Sequence, residues 1–383
     1  MDNSNRTASQ ADDEAWLRLT LVPGVSPAIQ RRLLLAYGSP QAALASAPET
    51  LAVAARDADA PALLAKGPDP SLLEATLRWL EGDGNHLITL HDPRYSRMLL
   101  EIPDPPAVLY ARGRTELLHA ESVAIVGSRN CTPQGGRDAR AFAQALSDKG
   151  LCVVSGLALG IDAHAHRGGL DGPGSTIAVM GTGADILYPK RNREIALEIA
   201  QKGCLLTEFP LGTHSLSANF PRRNRLISGL SRGVLVVEAA HKSGSLITAR
   251  AALEQNRDVF AVPGSIHSPL AKGCHYLIQQ GAKLVETAGD MLSELGHQGA
   301  PQPESDIEID DARPHSLLDA LAFAPLTVDQ LARLTGQAAG DVASALALLE
   351  IDGLVETMPG GRFQQVHHRP SPPEESAASR VIE

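Results

Sequence analysis

Val123-Ala124-Ile125-Val126-Gly127-Ser128-Arg129 is the stretch that decides the fold. Four apolar residues with no polar alternation describe a strand buried on both faces, and the small residues after them lead into an amphipathic stretch. The pattern repeats along the chain. Apolar runs lie at 123–126, 151–154, 176–180, 204–206, 234–237 and 259–262, with a shorter one at 283–285. Helical periodicity fills the gaps at about 135–148, 191–202, 219–230, 245–256 and 274–281. Doubly buried strands separated by helices predict an α/β domain over 121–295, a Rossmann-like, doubly wound parallel sheet.

Outward from this core the character changes. Residues 1–14 are polar and acidic and read as a disordered leader, and 15–82 as a helical domain broken at Pro23-Gly24, Gly38-Ser39-Pro40 and Gly67-Pro68. Within it, Leu21-Val22-Pro23-Gly24-Val25 followed by Ile29, Leu33 and Leu34 has a helix-hairpin-helix (SAM-like) pattern. Such a hairpin serves either packing and protein contact or, through helix N-terminal N–H groups, phosphate binding. A proline-rich connecting region spans 83–120, and an acidic linker spans 296–315. Three helical patterns and a Pro359-Gly360-Gly361 hairpin then give the order of a winged helix at 316–367, and 368–383 is a polar, disordered tail.

The chain has 383 residues, 34 basic against 44 acidic, for a net charge of −10. The bulk figure argues against a nucleic-acid binder, but the charge is uneven. Residues 121–290 hold 18 basic and 14 acidic residues, a net of +4, and the rest of the chain carries −14. The four cysteines, Cys131, Cys152, Cys204 and Cys274, have no CxxC or His-partner spacing, so no metal site or disulfide framework is expected. Neither a signal peptide nor a run of 18 apolar residues occurs, which points to a cytoplasmic protein without membrane contact.

The loops after the predicted strands carry the candidate chemistry. Gly127, Ser128 and Arg129 follow the first strand, where a small turn, a hydroxyl and a guanidinium suit an anion. Ser155, Gly156 and Gly160 form a second such element, in which Asp162 and His166 are expected to hold the loop by hydrogen bonds. Gly181-Thr182-Gly183 leads to Tyr188-Pro189-Lys190, with Lys190 as a further cation. The segment Phe220-Pro221-Arg222-Arg223-Asn224-Arg225 opens a helix with three arginines, suited to phosphates along a strand, and Phe220 is available to stack on a base. Arg222 and Arg225 share a helix face, whereas Arg223 points elsewhere and is a candidate buttress of the sheet. Lys242, Ser243, Gly244 and Ser245 follow another strand, with the serines serving either as ligands or as caps. There is no GxGxxG after the first strand, no GxxxxGK[ST] loop and no nucleophile–base set, so no cofactor and no catalytic residue is assigned.

Taken in order, these segments resemble the DNA-processing protein A (DprA/Smf) family. The match runs through Val126-Gly127-Ser128-Arg129, Ser155-Gly156-Leu157-Ala158-Leu159-Gly160-Ile161-Asp162 and Tyr188-Pro189. It continues through Phe220-Pro221, Arg223-Asn224-Arg225, Val237-Glu238-Ala239, Ser243-Gly244-Ser245-Leu246-Ile247-Thr248 and Val259-Phe260-Ala261-Val262-Pro263-Gly264. The resemblance implies a non-enzymatic mediator that binds single-stranded DNA in a basic pocket of the Rossmann-like domain and dimerises through that domain. It further implies loading of the recombinase RecA and protection of incoming strands during natural transformation. A nucleotide phosphoribohydrolase on a related core is the alternative, though Pro263-Gly264-Ser265-Ile266 departs from the Pro-Gly-Gly-x-Gly-Thr loop of those enzymes. Between Thr335 and Gly361 there is no Lys or Arg, so the winged helix is expected to contact proteins and not to read DNA through its recognition helix.

Overall fold

A computed structural model of the chain describes residues 3–297, 317–321 and 325–366. The described residues fall in two compact units, divided between Gln302 and Pro303. Most of the predicted acidic linker, from residue 298, and the whole predicted tail lie outside the described residues.

The first unit is built on a nine-stranded sheet. Its strands are β1 (Asn85–Thr89), β2 (Val108–Gly113), β3 (Ser122–Val126), β4 (Cys152–Ser155), β5 (Thr176–Val179), β6 (Cys204–Thr207), β7 (Gly233–Val236), β8 (Asp258–Ala261) and β9 (Lys283–Leu284). They lie in the order β1-β2-β6-β5-β4-β3-β7-β8-β9. All pairs from β6 across to β9 are parallel, and β3, β4, β5, β6 and β7 are buried along their whole length. That burial on both faces is why these runs lack polar alternation. Chain direction along the sheet reverses at β3: the next three strands are laid to one side of it, and β7 to β9 to the other. The carboxyl ends of β3 and β7 therefore open onto a crevice where no crossover passes between them.

Three sequence expectations need correction. The leader is not disordered from residue 3 on, because the helix Asn3–Thr20 runs through it and buries Trp16, Leu17 and Leu19. The acidic run only looks like a solvated tail, since it is the first part of a helix whose later turns are anchored in the core. The connecting region is part of the sheet, since β1 pairs antiparallel with β2, and β2 with β6. Nor do the N-terminal helices stand apart. Trp16, Leu33, Leu51, Tyr110, Ala178 and Ile199 share one hydrophobic cluster, so helices and sheet face fold on a common core.

Proline punctuates that helical region, standing in the first turn of the helices Pro27–Tyr37, Pro40–Leu44, Pro48–Ala55, Ala60–Lys66 and Pro70–Leu80. In the hairpin, Leu21, Val22, Val25 and Ile29 are buried, and Ile29 N already donates to Ser26 Oγ. Arg32 donates to Ala55 O at 2.9 Å, so the hairpin is engaged in packing.

In the second unit, β10 (Leu326–Thr327), β11 (Val355–Met358) and β12 (Arg362–Gln365) form a small sheet in the order β10-β12-β11. Leu331, Val342, Leu346 and Val355 make its core with the helices Val328–Thr335 and Ala339–Ile351. No helix among the described residues is long and apolar enough to cross a membrane.

Candidate nucleic-acid interface

A cleft of about 810 Å³ opens at the carboxyl ends of β3 and β7. Most of its lining comes from four segments: the loop after β3 (Gly127, Ser128, Arg129, Asn130), the loop after β4 with the helix start behind it (Ala158, Asp162), the start of the helix Asn219–Leu230, and the loop after β7 (Ala240, Lys242, Ser243, Gly244, Ser245). Ten of the residues singled out from sequence come together here: Gly127, Ser128, Arg129, Phe220, Arg223, Asn224, Lys242, Ser243, Gly244 and Ser245.

The β3 loop is held from both sides. Thr132 donates from its N (2.9 Å) and Oγ1 (2.5 Å) to Glu238, at the end of β7, and caps the helix Pro133–Asp148 through Gly135 N. Burial raises the Glu238 carboxyl pKa while these hydrogen bonds hold it down. On the other side Ile161 N donates to Ser128 O at 3.1 Å. Gly160 makes that approach possible, because it has φ +74° and a Cβ there would stand 2.3 Å from Ser128 O. Gly160 thus shapes the cleft without lining it. Arg129 lies exposed beyond these anchors, its guanidinium carbon 5.4 Å from the Phe220 ring centre.

Arg223 forms the floor. It is 4% exposed, donating from Nη1 to Gly156 O at 2.6 Å and to Val179 O, so it ties the helix to the ends of β4 and β5. Burial lowers its pKa to about 10, with Asp162 nearby opposing the shift, so it stays charged at neutral pH. Asp162 in turn accepts from Gly156 N (3.1 Å) and Ala158 N (3.2 Å). Burial pushes its pKa up, and Arg223 pulls it back. The two charges offset one another, which leaves Arg129 and Lys242 to set the sign of the cleft.

Below the β4 loop, His166 is fully buried. Its Nε2 accepts from Leu157 N at 3.2 Å, and its Nδ1 meets Thr176 Oγ1 at 2.8 Å. Burial lowers its pKa to about 3, so the ring is neutral. The expected loop-holding role of Asp162 and His166 is what the hydrogen bonds describe. Among the described residues no cluster of His, Cys, Asp and Glu is arranged to hold a metal ion.

The remaining sequence candidates sit elsewhere. Ser155 is buried, with Oγ donating to Ile125 O at 2.6 Å, and Gly156 is packed under Arg223. Arg222 and Arg225 share a helix face, as their spacing required, but that face meets Glu208. Both donate to Glu208 Oε2, at 2.8 and 2.7 Å, and Arg225 also pairs with Asp104 at 2.9 Å. Lys190 is exposed outside the cleft lining. Phe220 is less available for stacking than its sequence setting implied, because Arg129 and Arg223 both lie within 6 Å of its ring and Tyr188 packs at 5.9 Å. Ser243 acts locally, its Oγ accepting from Ser245 N at 3.3 Å and meeting Ser245 Oγ at 2.7 Å. Sequence reasoning passed over Ser215, Ser217, Ile247 and Thr248 as lining residues. The alternate serines just before a basic helix were the one signal for the first pair.

Comparison with known proteins identifies the family. Residues 86–296 match the family model for DNA recombination-mediator protein A, and residues 300–361 match the DprA winged helix domain. Protein Smf of Escherichia coli (strain K12) is 42% identical over 298 residues, covering 76% of this chain and 80% of that protein. DNA processing protein DprA of Streptococcus pneumoniae is 48% identical over 204 residues, covering 53% of this chain and 72% of that protein. Its solved structure superposes with a TM-score of 0.65 at 38% identity, covering 72% of this chain and 95% of that one. A structure addressing the single-stranded DNA binding mode of the Helicobacter pylori protein gives a TM-score of 0.51 at 31% identity, covering 55% of this chain and 95% of that one. Because the first model alone spans more than half of its length, the chain belongs to the DNA recombination-mediator protein A (DprA/Smf) family, whose members are mediators and not enzymes.

Proposed function

We propose that this protein binds single-stranded DNA by its phosphate backbone in the cleft between β3 and β7, and there presents the strand to a RecA-type recombinase. On this reading the core is a Rossmann-like domain used for anion binding at its strand-order reversal, the protein acts as a homodimer through that domain, and it works in the cytoplasm on incoming DNA. The observation that carries the reading is the placement of Arg129 and Lys242. Both are exposed side chains on the two loops that flank the reversal, and neither has an ion-pair partner among the described residues. Phosphates bound there would release counterions, and neutral serines and backbone would fill the space between contacts.

The test uses the full chain with Arg129→Gln and Lys242→Gln together. Loss of two phosphate contacts should weaken oligothymidylate binding about 100-fold near physiological salt and flatten the log–log salt slope by about 1.4. Fluorescence anisotropy across a salt series measures both. An unchanged slope overturns the cleft assignment. With RecA added, the same variant should lose stimulation of filament assembly on protein-coated single strands, and full stimulation would remove the mediator role from this site.

A further inference from the structure

We propose that the helix Ala339–Ile351 of the second unit docks an amphipathic helix of a partner protein, one whose apolar stripe is flanked by lysine or arginine. DNA binding by the cleft is not required for this. One face of the helix serves its own unit, where Val342 and Leu346 are buried in a core with Leu331 and Val355. On another face Ser344, Ala347, Leu348 and Ile351 follow at i, i+3, i+4 and i+7, a spacing that makes one stripe. All four are exposed, Leu348 at 64% and Ile351 at 81%. A helix that is apolar all round belongs between two packing partners, and among the described residues only one side has such a partner. The neighbouring helix Val328–Thr335 shows how this unit treats a solvent face, for it turns Asp329, Gln330 and Arg333 outward.

Charge selects the occupant. Asp341 opens the helix, and Glu350 and Asp352 stand at its end beside Ile351, all three exposed. No ion pair among the described residues engages Asp341 or Asp352, and Glu350 Oε1 accepts only from Thr357 N at 3.2 Å. The described cations of this unit are Arg333, on the preceding helix, and Arg362, on β12. An apolar stripe rimmed by carboxylates is complementary to an apolar stripe rimmed by cations, and opposite charges at the rim also fix the register.

The same charges argue against the other occupants. Two copies joined through this stripe would set the same patch against itself, with Asp341, Glu350 and Asp352 facing their own duplicates. The stretch before this unit cannot match the rim either, since it carries five acids from Glu304 to Asp311. After Val366 the sequence holds Pro370, Pro372 and Pro373 and no leucine, so it offers no apolar helical stripe of its own. Duplex DNA would meet carboxylates where it needs cations.

The test uses the full chain and a fluorescent, helix-forming peptide of about 20 residues, with leucines at i, i+3, i+4 and i+7 spacing and lysines on the flanks. A second peptide has glutamates in place of the lysines. The lysine peptide should bind at least about tenfold more tightly than the glutamate one. Leu348→Gln with Ile351→Gln should weaken it about 30-fold, by removing two apolar anchors from exposed positions where the fold does not need them. Asp341→Asn with Glu350→Gln and Asp352→Asn should weaken it about fivefold and remove most of its salt dependence. Equal binding of the lysine peptide by the Leu348→Gln, Ile351→Gln variant would reduce the contact to bulk charge and overturn the proposal. Sedimentation of that variant as a smaller oligomer than the wild type would make a second copy the occupant. Loss of its duplex DNA binding with peptide binding intact would make the face a nucleic-acid contact. Either result also overturns the proposal.

Discussion

Two regions of this molecule have backbone suited to a nucleic acid: the cleft after β3 and β7, and the helix Ala339–Ile351 of the second unit. They differ in charge. The cleft places Arg129 and Lys242 on exposed loops and keeps a third cation, Arg223, as its floor. The helix carries Asp341 and Glu350 and no cation, and its exposed large side chains are Leu348 (64%) and Ile351 (81%). A winged helix that reads DNA needs cations close to phosphates, whereas exposed aliphatic residues beside acids suit a protein surface. The comparison teaches that architecture is shared widely and that the placement of charge on it is what distinguishes the proposed DNA cleft from the helix of the second unit.

The harshest way to break the contrast is to remove the floor of the cleft. Arg223→Met leaves Asp162 without its counter-charge and the carbonyls of Gly156 and Val179 without a donor, which should cost about 3–5 kcal/mol. Urea unfolding of the full chain, followed by a probe in the first unit, measures it. A loss below about 1 kcal/mol would show that Arg223 is no buttress and belongs with the rim cations.

Acid comes next. His166 is neutral in the fold, with a pKa lowered to about 3 from an ordinary 6.5. A depressed pKa contributes stability that is present above pH 6.5 and lost as pH falls toward 3, at roughly 1.4 kcal/mol per pH unit. Protonation would also remove the acceptor that holds Leu157 N. The melting temperature of the first unit should therefore fall between pH 6.5 and about 4.5, and His166→Gln should flatten that fall. In the second unit no histidine occurs among the described residues, so its melting should lack this component. An equal acid dependence of both units would break the comparison.

The smallest expected effect is none at all. In the Arg129→Gln, Lys242→Gln background, Asp341→Ala should leave binding of duplex DNA by the full chain unchanged, since the helix Ala339–Ile351 offers no cation. Residual duplex binding that Asp341→Ala strengthens would make that helix a reader after all.

Much of the sheet was legible in advance, because residues 123–126, 204–206 and 234–237 are buried on both faces and leave no polar alternation to mislead. The helix Ile161–Asp171 was not. Its two histidines and the Gly168-Gly169 pair hide the helical period, yet Gly168 lets the helix lie against the Arg140 backbone, where a Cβ would come within 2.2 Å. The strands β1 and β2 at one margin of the sheet were hidden for another reason: prolines 93, 103, 105 and 106 lie between them, and β2 joins the sheet through β6, far along the sequence.

At the cleft, the residue types were legible and their division of labour was not. Arg222, Arg223 and Arg225 are equivalent as letters. Only packing commits two of them to Glu208, on a strand end 14 and 17 residues earlier, and sends the third under the β4 loop.

The sequence by itself determined the alternation of buried strands and helices, the positive core within an acidic chain, and a second unit whose helix lacks cations. Those are properties of local composition and period, which burial and charge impose residue by residue. The tertiary structure alone decided the reversal of strand order at β3, the merging of the N-terminal helices with the sheet, and which cations reach solvent at the cleft. Each depends on contacts between segments far apart in the chain, where one buried acid, Glu208 or Asp162, settles whether a neighbouring arginine is held inside or left free for a ligand.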